Sequence, residues 1–175
     1  MDKKLIEAQV LVLQAHSGQY RRNTRDPFVK HLFRVSEIIN VYFNDHPKRD
    51  LLRTCALLHD CVEDTWITHE YVKEHFGEEI HKIVYELSKE ELASKALSND
   101  KYIEKLAKAS DYAKLIKLVD AYDNVTDGFT GHKWPIFIDV TKRVLKVVQI
   151  SDKTLLKGHE KIKKELEDKI SKIRF

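Results

Sequence analysis

The chain has 175 residues, 31 of them basic and 28 acidic, for a formal net charge of +3. Charges that nearly cancel at 34% of the composition argue against a general nucleic-acid or membrane-surface binder, so any basic patch is local. The length fits one domain with a core that needs no staples.

Asp2, Glu7, Gln9 and Gln14 interrupt the apolar positions of the N-terminus, and no stretch reaches membrane length, so a soluble cytoplasmic protein is expected. Five glycines, three prolines and long segments of 3.6-residue period predict an all-α fold. The first helix is expected from Lys3 to Ser17, with Gly18 as its stop signal. A basic loop, Gln19 to Pro27, carries Arg21, Arg22 and Arg25. Pro27 then opens a second helix through Val35, Ile38, Ile39 and Tyr42, with His31 in its first turns.

Pro47 starts a third helix, whose apolar run Leu51, Leu52, Cys55, Ala56, Leu57, Leu58 is closed by His59-Asp60 and Glu63-Asp64. Cys55 and Cys61 lie six positions apart on that helix, about 9 Å along its axis. That is beyond disulfide reach, so both are expected to be reduced core thiols. Thr65 to Thr68 forms a turn in which Thr68 caps a helix with Tyr71 as its third residue, and Gly77 ends that helix. A helix through Ile80, Ile83, Val84 and Leu87 leads into Lys89 to Asp100, read as an exposed loop or irregular helix with little function. From Ser110 or Asp111 the run Ala113, Leu115, Ile116, Leu118, Val119 predicts a buried central helix. It presents Asp120 and Asn124 on one face, with Asp123 and Asp127 displaced around it. Gly128 to Pro135 reads as a loop, followed by helices from about Ile136 to Ile150 and Lys153 to Ile173. The last of these is amphipathic along Leu155, His159, Ile162, Leu166, Ile170 and Ile173.

On one continuous helix His59 stands above Glu63 and Asp60 above Asp64, and all four point into one sector. Burying carboxylates beside an imidazole is very unfavourable unless a cation or hydrogen-bond donors compensate. A metal ion is the simplest compensation, and His31 and Asp120, at the polar edges of other apolar helices, are the best further ligands. Two imidazoles and two carboxylates without thiolate suit Mn²⁺, Fe²⁺ or Zn²⁺ with open positions for water, which implies catalysis rather than a closed structural site.

The pattern His31, His59-Asp60, Asp120 resembles that of the HD-domain phosphohydrolases. Ala56 to Thr65, read as ALLHDCVEDT, is similar to the ALLHDxVEDT signature of the (p)ppGpp hydrolase family, the hydrolase part of the Rel/Spo enzymes. Ala15 to Gln19 resembles that family's AHxGQ, Pro27 to His31 its PYxxH, Thr68 to Gly77 its T-to-FG helix, and Ile116 to Asp120 its IKLAD. The resemblance runs from about residue 5 to 127. A chain of this length leaves no room for synthetase and regulatory domains, so it is expected to be most similar to the stand-alone small alarmone hydrolases.

The resemblance implies a single compact HD-domain helical bundle of about eight to ten helices. It implies Mn²⁺ held by His31, His59, Asp60 and Asp120, with Glu63 and Asp64 preparing and orienting the attacking water. The substrate would be a guanosine nucleotide phosphorylated at 3′ and 5′, losing its 3′ pyrophosphate. Asn124 matches the family's substrate-facing asparagine, and Arg21-Arg22 is the natural clamp for so anionic a ligand; Lys133 is a further contributor. His16, His46, His69, His75, His81, His132 and His159 are read as surface or packing histidines. Leu32 replaces a common proline, Arg25-Asp26 stands where the family often has Gly-Glu or Gly-Thr, and Ala121 replaces a basic residue. None of these departures removes a metal ligand, but they alter the nucleotide pocket.

Two alternatives accompany this reading. One is an HD phosphatase acting on another nucleotide, such as the 2′-phosphate of NADPH or a nucleoside monophosphate. The other is a catalytically idle nucleotide-binding module, against which the retention of Glu63 and Asp64 speaks. The expected partner is a small phosphorylated nucleotide, with no nucleic acid and no membrane, and the oligomeric state is left open.

Overall fold

The computed structural model describes residues 2–21, 25–91, 95–96, 98–127 and 134–174. Ten helices are found among them: α1 (Lys3–Ala15), α2 (Val29–Tyr42), α3 (Arg49–Leu58), α4 (Cys61–Asp64), α5 (His69–Phe76), α6 (Glu78–Leu87), α7 (Asn99–Ala107), α8 (Asp111–Thr126), α9 (Trp134–Val147) and α10 (Lys153–Ser171). The all-α expectation holds, with one minor addition. Within the polar stretch after α6, β1 (Glu90–Glu91) and β2 (Lys95–Ala96) pair antiparallel.

Helix starts follow side-chain capping. The Thr68 hydroxyl accepts from the Tyr71 amide at 3.1 Å, as its spacing predicts, and Ser110 does the same for Ala113 at the head of α8. Asp2, Ser98 and Asp152 cap α1, α7 and α10. Gly18 ends the turn after α1 at φ 77, and Gly77 joins α5 to α6 at φ 86, both in the left-handed region that a side chain would strain.

Helix α8 organises the bundle, packing against α2, α3, α6, α7, α9 and α10. Its Ala113, Leu115, Ile116, Leu118 and Val119 are buried, as a helix apolar nearly all round must be. On its far side α10 buries Leu155, His159, Ile162, Leu166 and Ile170, the stripe read from sequence. Cys55 and Cys61 are buried free thiols.

The third helix departs from expectation. It stops at Leu58, His59 and Asp60 form a turn, and the short α4 resumes at Cys61. His59 Nδ1–H donates to the Ala56 carbonyl at 2.7 Å, the acceptor that a continuous helix would give to the Asp60 amide. His59, Asp60, Glu63 and Asp64 therefore do not lie on one unbroken helix, although the Asp64 amide still donates to the Asp60 carbonyl at 3.0 Å. Nor are they buried together: Asp60 and Glu63 are half-buried and Asp64 is exposed. The buried carboxylates come from α8.

Candidate metal centre

Three helix segments meet over the inner face of α8. His31 comes from the first turn of α2, His59 and Asp60 from the break between α3 and α4, and Asp120 from the middle of α8. His31, His59 and Asp120 are buried, and each offers a ligand atom within 4.8 Å of the others.

Hydrogen bonds on the far side of each ring fix what it presents here. His31 Nδ1–H donates to Asp123 Oδ2 at 2.7 Å, and His59 Nδ1 is occupied by the Ala56 carbonyl. Both rings thus aim Nε2 inward, the nitrogen that a metal would take in place of a proton. His31 Nε2 lies 3.1 Å from Asp120 Oδ1 and 3.8 Å from Asp60 Oδ2. His59 Nε2 lies 3.2 Å from Asp60 Oδ2 and 3.7 Å from Asp120 Oδ1, and it is buried without a hydrogen-bond partner.

Imidazole nitrogens facing carboxylate oxygens call for positive charge between them, supplied by a proton or by a cation. Burial alone would push the His59 imidazole down, but Asp60 and Asp120 outweigh it and hold its pKa well above the ordinary value. Burial likewise opposes ionisation of Asp120, yet Lys117 and the two imidazoles hold its carboxyl well below the usual range. A divalent cation satisfies the same field, and two nitrogen and two oxygen donors suit one. The residues present fit the metal.

Asp120 is held on every side. Lys117 Nζ donates to its Oδ2 at 2.7 Å and Asn124 Nδ2 to its Oδ1 at 2.6 Å. Asn124 Oδ1 accepts in turn from Arg21 Nη2 at 2.7 Å. Arg21 also stands 3.3 Å from Asp127 Oδ2 and over the Phe28 ring. The structure thus links Arg21 and Asn124 to the metal cluster by direct bonds, while Arg22, Lys133 and His132 lie outside the described residues. The loop that delivers Arg21 closes through Arg21 N–H to the Asp26 carbonyl at 2.8 Å. Arg25 adopts φ 55 within it. The residue standing where the family often has glycine therefore occupies the backbone region that glycine fills without strain.

Sequence reasoning missed four residues. Asp123, read as displaced around α8, is buried and orients His31. Arg34 grips it from one turn further along α2, with Nε 2.8 Å from Oδ1 and Nη2 2.9 Å from Oδ2. The available signal was spacing: Arg34 follows His31 by three, Asp123 follows Asp120 by three, and Lys117 precedes Asp120 by three. The fourth is Lys89, placed in a stretch credited with little function. Its backbone N–H donates to Glu63 Oε1 at 2.8 Å, and its ammonium lies over the Tyr102 ring.

Glu63 and Asp64 sit beside the cluster with the opposite electrostatic character. Burial pushes the Glu63 carboxyl above its usual range, only partly offset by the Lys89 amide. Asp64 is also raised, by desolvation of its inner side and by the Asp60 charge. A carboxylate with raised pKa next to a cation site is suited to taking up a proton.

Residues 8–125 match the model of the HD domain family. The chain belongs to the HD domain family. It is 35% identical over 125 residues to the guanosine-3′,5′-bis(diphosphate) 3′-pyrophosphohydrolase MESH1 of Drosophila melanogaster, covering 71% of this chain and 69% of that protein. The Homo sapiens protein of the same name is 27% identical over 161 residues, covering 87% and 88% respectively. A solved structure described as a metazoan ortholog of SpoT that hydrolyzes ppGpp superposes with a TM-score of 0.76 at 28% identity, covering 94% of this chain and 96% of that one. HD-domain hydrolases are metal-dependent, and the His/Asp cluster is where this HD domain can hold its ion. No helix among the described residues is long and apolar enough to cross a membrane.

Proposed function

We propose that this chain, as one HD-type phosphohydrolase domain over residues 1–175, is a Mn²⁺-dependent (p)ppGpp 3′-pyrophosphohydrolase. It would act in the cytoplasm on a free nucleotide, without nucleic acid or membrane. The observation that carries the reading is the pair of inward Nε2 atoms of His31 and His59 facing Asp60 and Asp120. His31, His59, Asp60 and Asp120 would hold the ion, and nitrogen and oxygen donors without thiolate support Mn²⁺. Once bound, it supplies the charge that acidifies water and polarises a phosphoryl oxygen.

The chain's own residues supply the rest. Glu63 takes the proton from the attacking water, as its raised pKa suits it to do, and Asp64 orients that water. The water oxygen bonds to the phosphorus next to the ribose, the bond from that phosphorus to the 3′ oxygen breaks, and the 3′ oxygen leaves as a hydroxyl carrying the proton that Glu63 took from the water. Arg21, Arg22 and Asn124 bind the nucleotide, Arg21 as a guanidinium fork for phosphate oxygens. The fly and human proteins named for this activity support the choice of substrate.

The test is incubation of purified protein with ppGpp and Mn²⁺, with and without EDTA, scoring GDP and pyrophosphate. Chelator-sensitive release of pyrophosphate is expected. Absence of turnover by protein shown to bind metal would overturn the substrate assignment, and orthophosphate release from NADPH would replace it.

A further inference from the structure

Asp64 differs from every other carboxylate at the centre. Its side chain makes no hydrogen bond or ion pair among the described residues, whereas Glu63 is tied to the Lys89 amide and Asp120 to Lys117 and Asn124. Where the Asp64 side chain starts from is therefore set by its backbone, with no side-chain hydrogen bond to correct a displacement. That backbone has two anchors. Its N–H donates to the Asp60 carbonyl at 3.0 Å, within the short α4. Its C=O accepts from Gln19 Nε2 at 2.7 Å, across 45 residues of sequence.

We infer that Gln19 is a positioning residue that aims Asp64, and that His16 and Cys61 complete a closed clamp around α4. The inference rests on the hydrolase reading given above. A carbonyl can only accept, so the Gln19 amide must turn its NH₂ toward Asp64 and its oxygen toward His16. His16 Nδ1 lies 2.8 Å from that oxygen and therefore donates. This leaves His16 Nε2 as an acceptor, and the Cys61 sulfur lies 3.7 Å from it and 3.8 Å from the Leu57 carbonyl, so its one S–H is shared between the two. Cys61 and Asp64 are the first and last residues of α4. The clamp thus runs from one end of α4 through His16 and Gln19 to the other.

Its base is rigid. His16 is buried and stacked on Phe28 with ring centroids 5.1 Å apart, and Phe28 meets His31 edge-on at 5.8 Å. The Gln19 carbonyl accepts from the Phe28 amide at 2.9 Å. A helix of four residues has no internal cooperativity to hold its own geometry, so an external clamp is what keeps its last residue in place. The same loop carries Arg21, so the clamp also fixes the spacing between a substrate-binding side chain and Asp64.

Gln19→Leu keeps the size of the side chain and removes both polar ends. With ppGpp and saturating Mn²⁺, kcat is expected to fall tenfold or more while KM and Mn²⁺ affinity stay within twofold. In an Asp64→Asn background the same change is expected to cost less than twofold, because the carboxylate being aimed is already gone. His16→Phe, which keeps the stack on Phe28 but not the donor, is expected to lower kcat in the same direction. Full kcat in Gln19→Leu, or an equal loss in both backgrounds, would overturn the inference. Hydrogen exchange gives an independent readout: the amides of Asp64 and Thr65 are expected to exchange faster in Gln19→Leu, and those of α3 at unchanged rates. Wild-type protein that fails to hydrolyse ppGpp refutes the hydrolase reading, and exchange then decides the clamp alone. Unchanged protection at Asp64 and Thr65 would end it.

Discussion

The two sources of carboxylate at the centre are built in opposite ways. Helix α8 runs unbroken for 16 residues and delivers Asp120 and Asp123 buried, each bonded to cationic or imidazole partners. Helix α4 has four residues at a break in the chain and delivers Glu63 and Asp64 half-buried and exposed, with few bonds. The electrostatics divide the same way. Burial opposes ionisation of Asp123, but His31 and Arg34 outweigh it and hold its carboxyl below the usual range, as Lys117 does for Asp120. Burial without such partners pushes Glu63 and Asp64 above it. Of the proposed ligand carboxylates, Asp120 comes from the long, compensated helix and Asp60 from the break that precedes α4, while the two carboxylates proposed to handle the water come from the uncompensated α4.

The sharpest way to break this comparison is to remove one carboxylate of each kind. Asp60→Ala is expected to abolish metal binding and turnover together, read by metal stoichiometry and product release. Glu63→Gln is expected to retain the metal and lose about 10²- to 10⁴-fold in kcat, the usual worth of a general base. In the metal-free protein the Glu63 carboxyl is expected to titrate above the ordinary glutamate value, read by NMR titration of the apo protein against Glu63→Gln. The sign follows from the shift: burial disfavours the charged form, so the carboxyl takes up its proton earlier on acidification. If Glu63→Gln loses its metal as Asp60→Ala does, the division between proposed ligands and water-handling carboxylates fails.

Asp123→Asn tests whether partners outside the ligand set matter on the α8 side. It leaves the four proposed ligands in place but weakens the hold on His31, and metal affinity is expected to drop about 10- to 100-fold by metal titration. Arg21→Ala is expected to raise KM by about tenfold, more than it lowers kcat, because a phosphate clamp supplies much uniform binding. Unchanged KM would return Arg21 to a purely structural role beside Asn124 and Asp127.

The smallest effect lies at the far end of α8. Asp111 accepts from the Ser151 amide and hydroxyl and the Asp152 amide, tying the start of α8 to the start of α10. Burial opposes its ionisation, but those donors hold its pKa below the usual value. A depressed pKa contributes stability that is present above the unfolded value of about 3.9 and lost as pH falls through the folded one. Asp111→Ala is expected to cost about 1 kcal/mol at neutral pH in denaturant unfolding, the group being partly solvated. The cost should vanish in acid, with metal binding unaffected.

Much of this molecule was legible without coordinates. Capping residues, glycine stops and 3.6-residue stripes are local signals, and Thr68, Ser110, Gly77 and the α10 stripe stand where those signals place them. The four proposed ligands were readable because each ends or edges an apolar run on its own helix. The break at His59-Asp60 was not, since apolar periodicity continues across it and only the His59 bond to the Ala56 carbonyl ends the helix. Asp123, Arg34, Lys89 and Gln19 were also hidden, because their partners are 26 to 92 residues away in sequence.

The sequence by itself therefore determined most of the helices, though not α7 (Asn99–Ala107) or the break after α3, together with the buried thiols and the set of imidazoles and carboxylates, all properties of single segments. Tertiary structure alone decided which nitrogen each histidine presents, which carboxylates are held ionised and which are raised, and what aims Asp64. Protonation and orientation depend on the charges and hydrogen bonds that surround a group, and here those come from other helices.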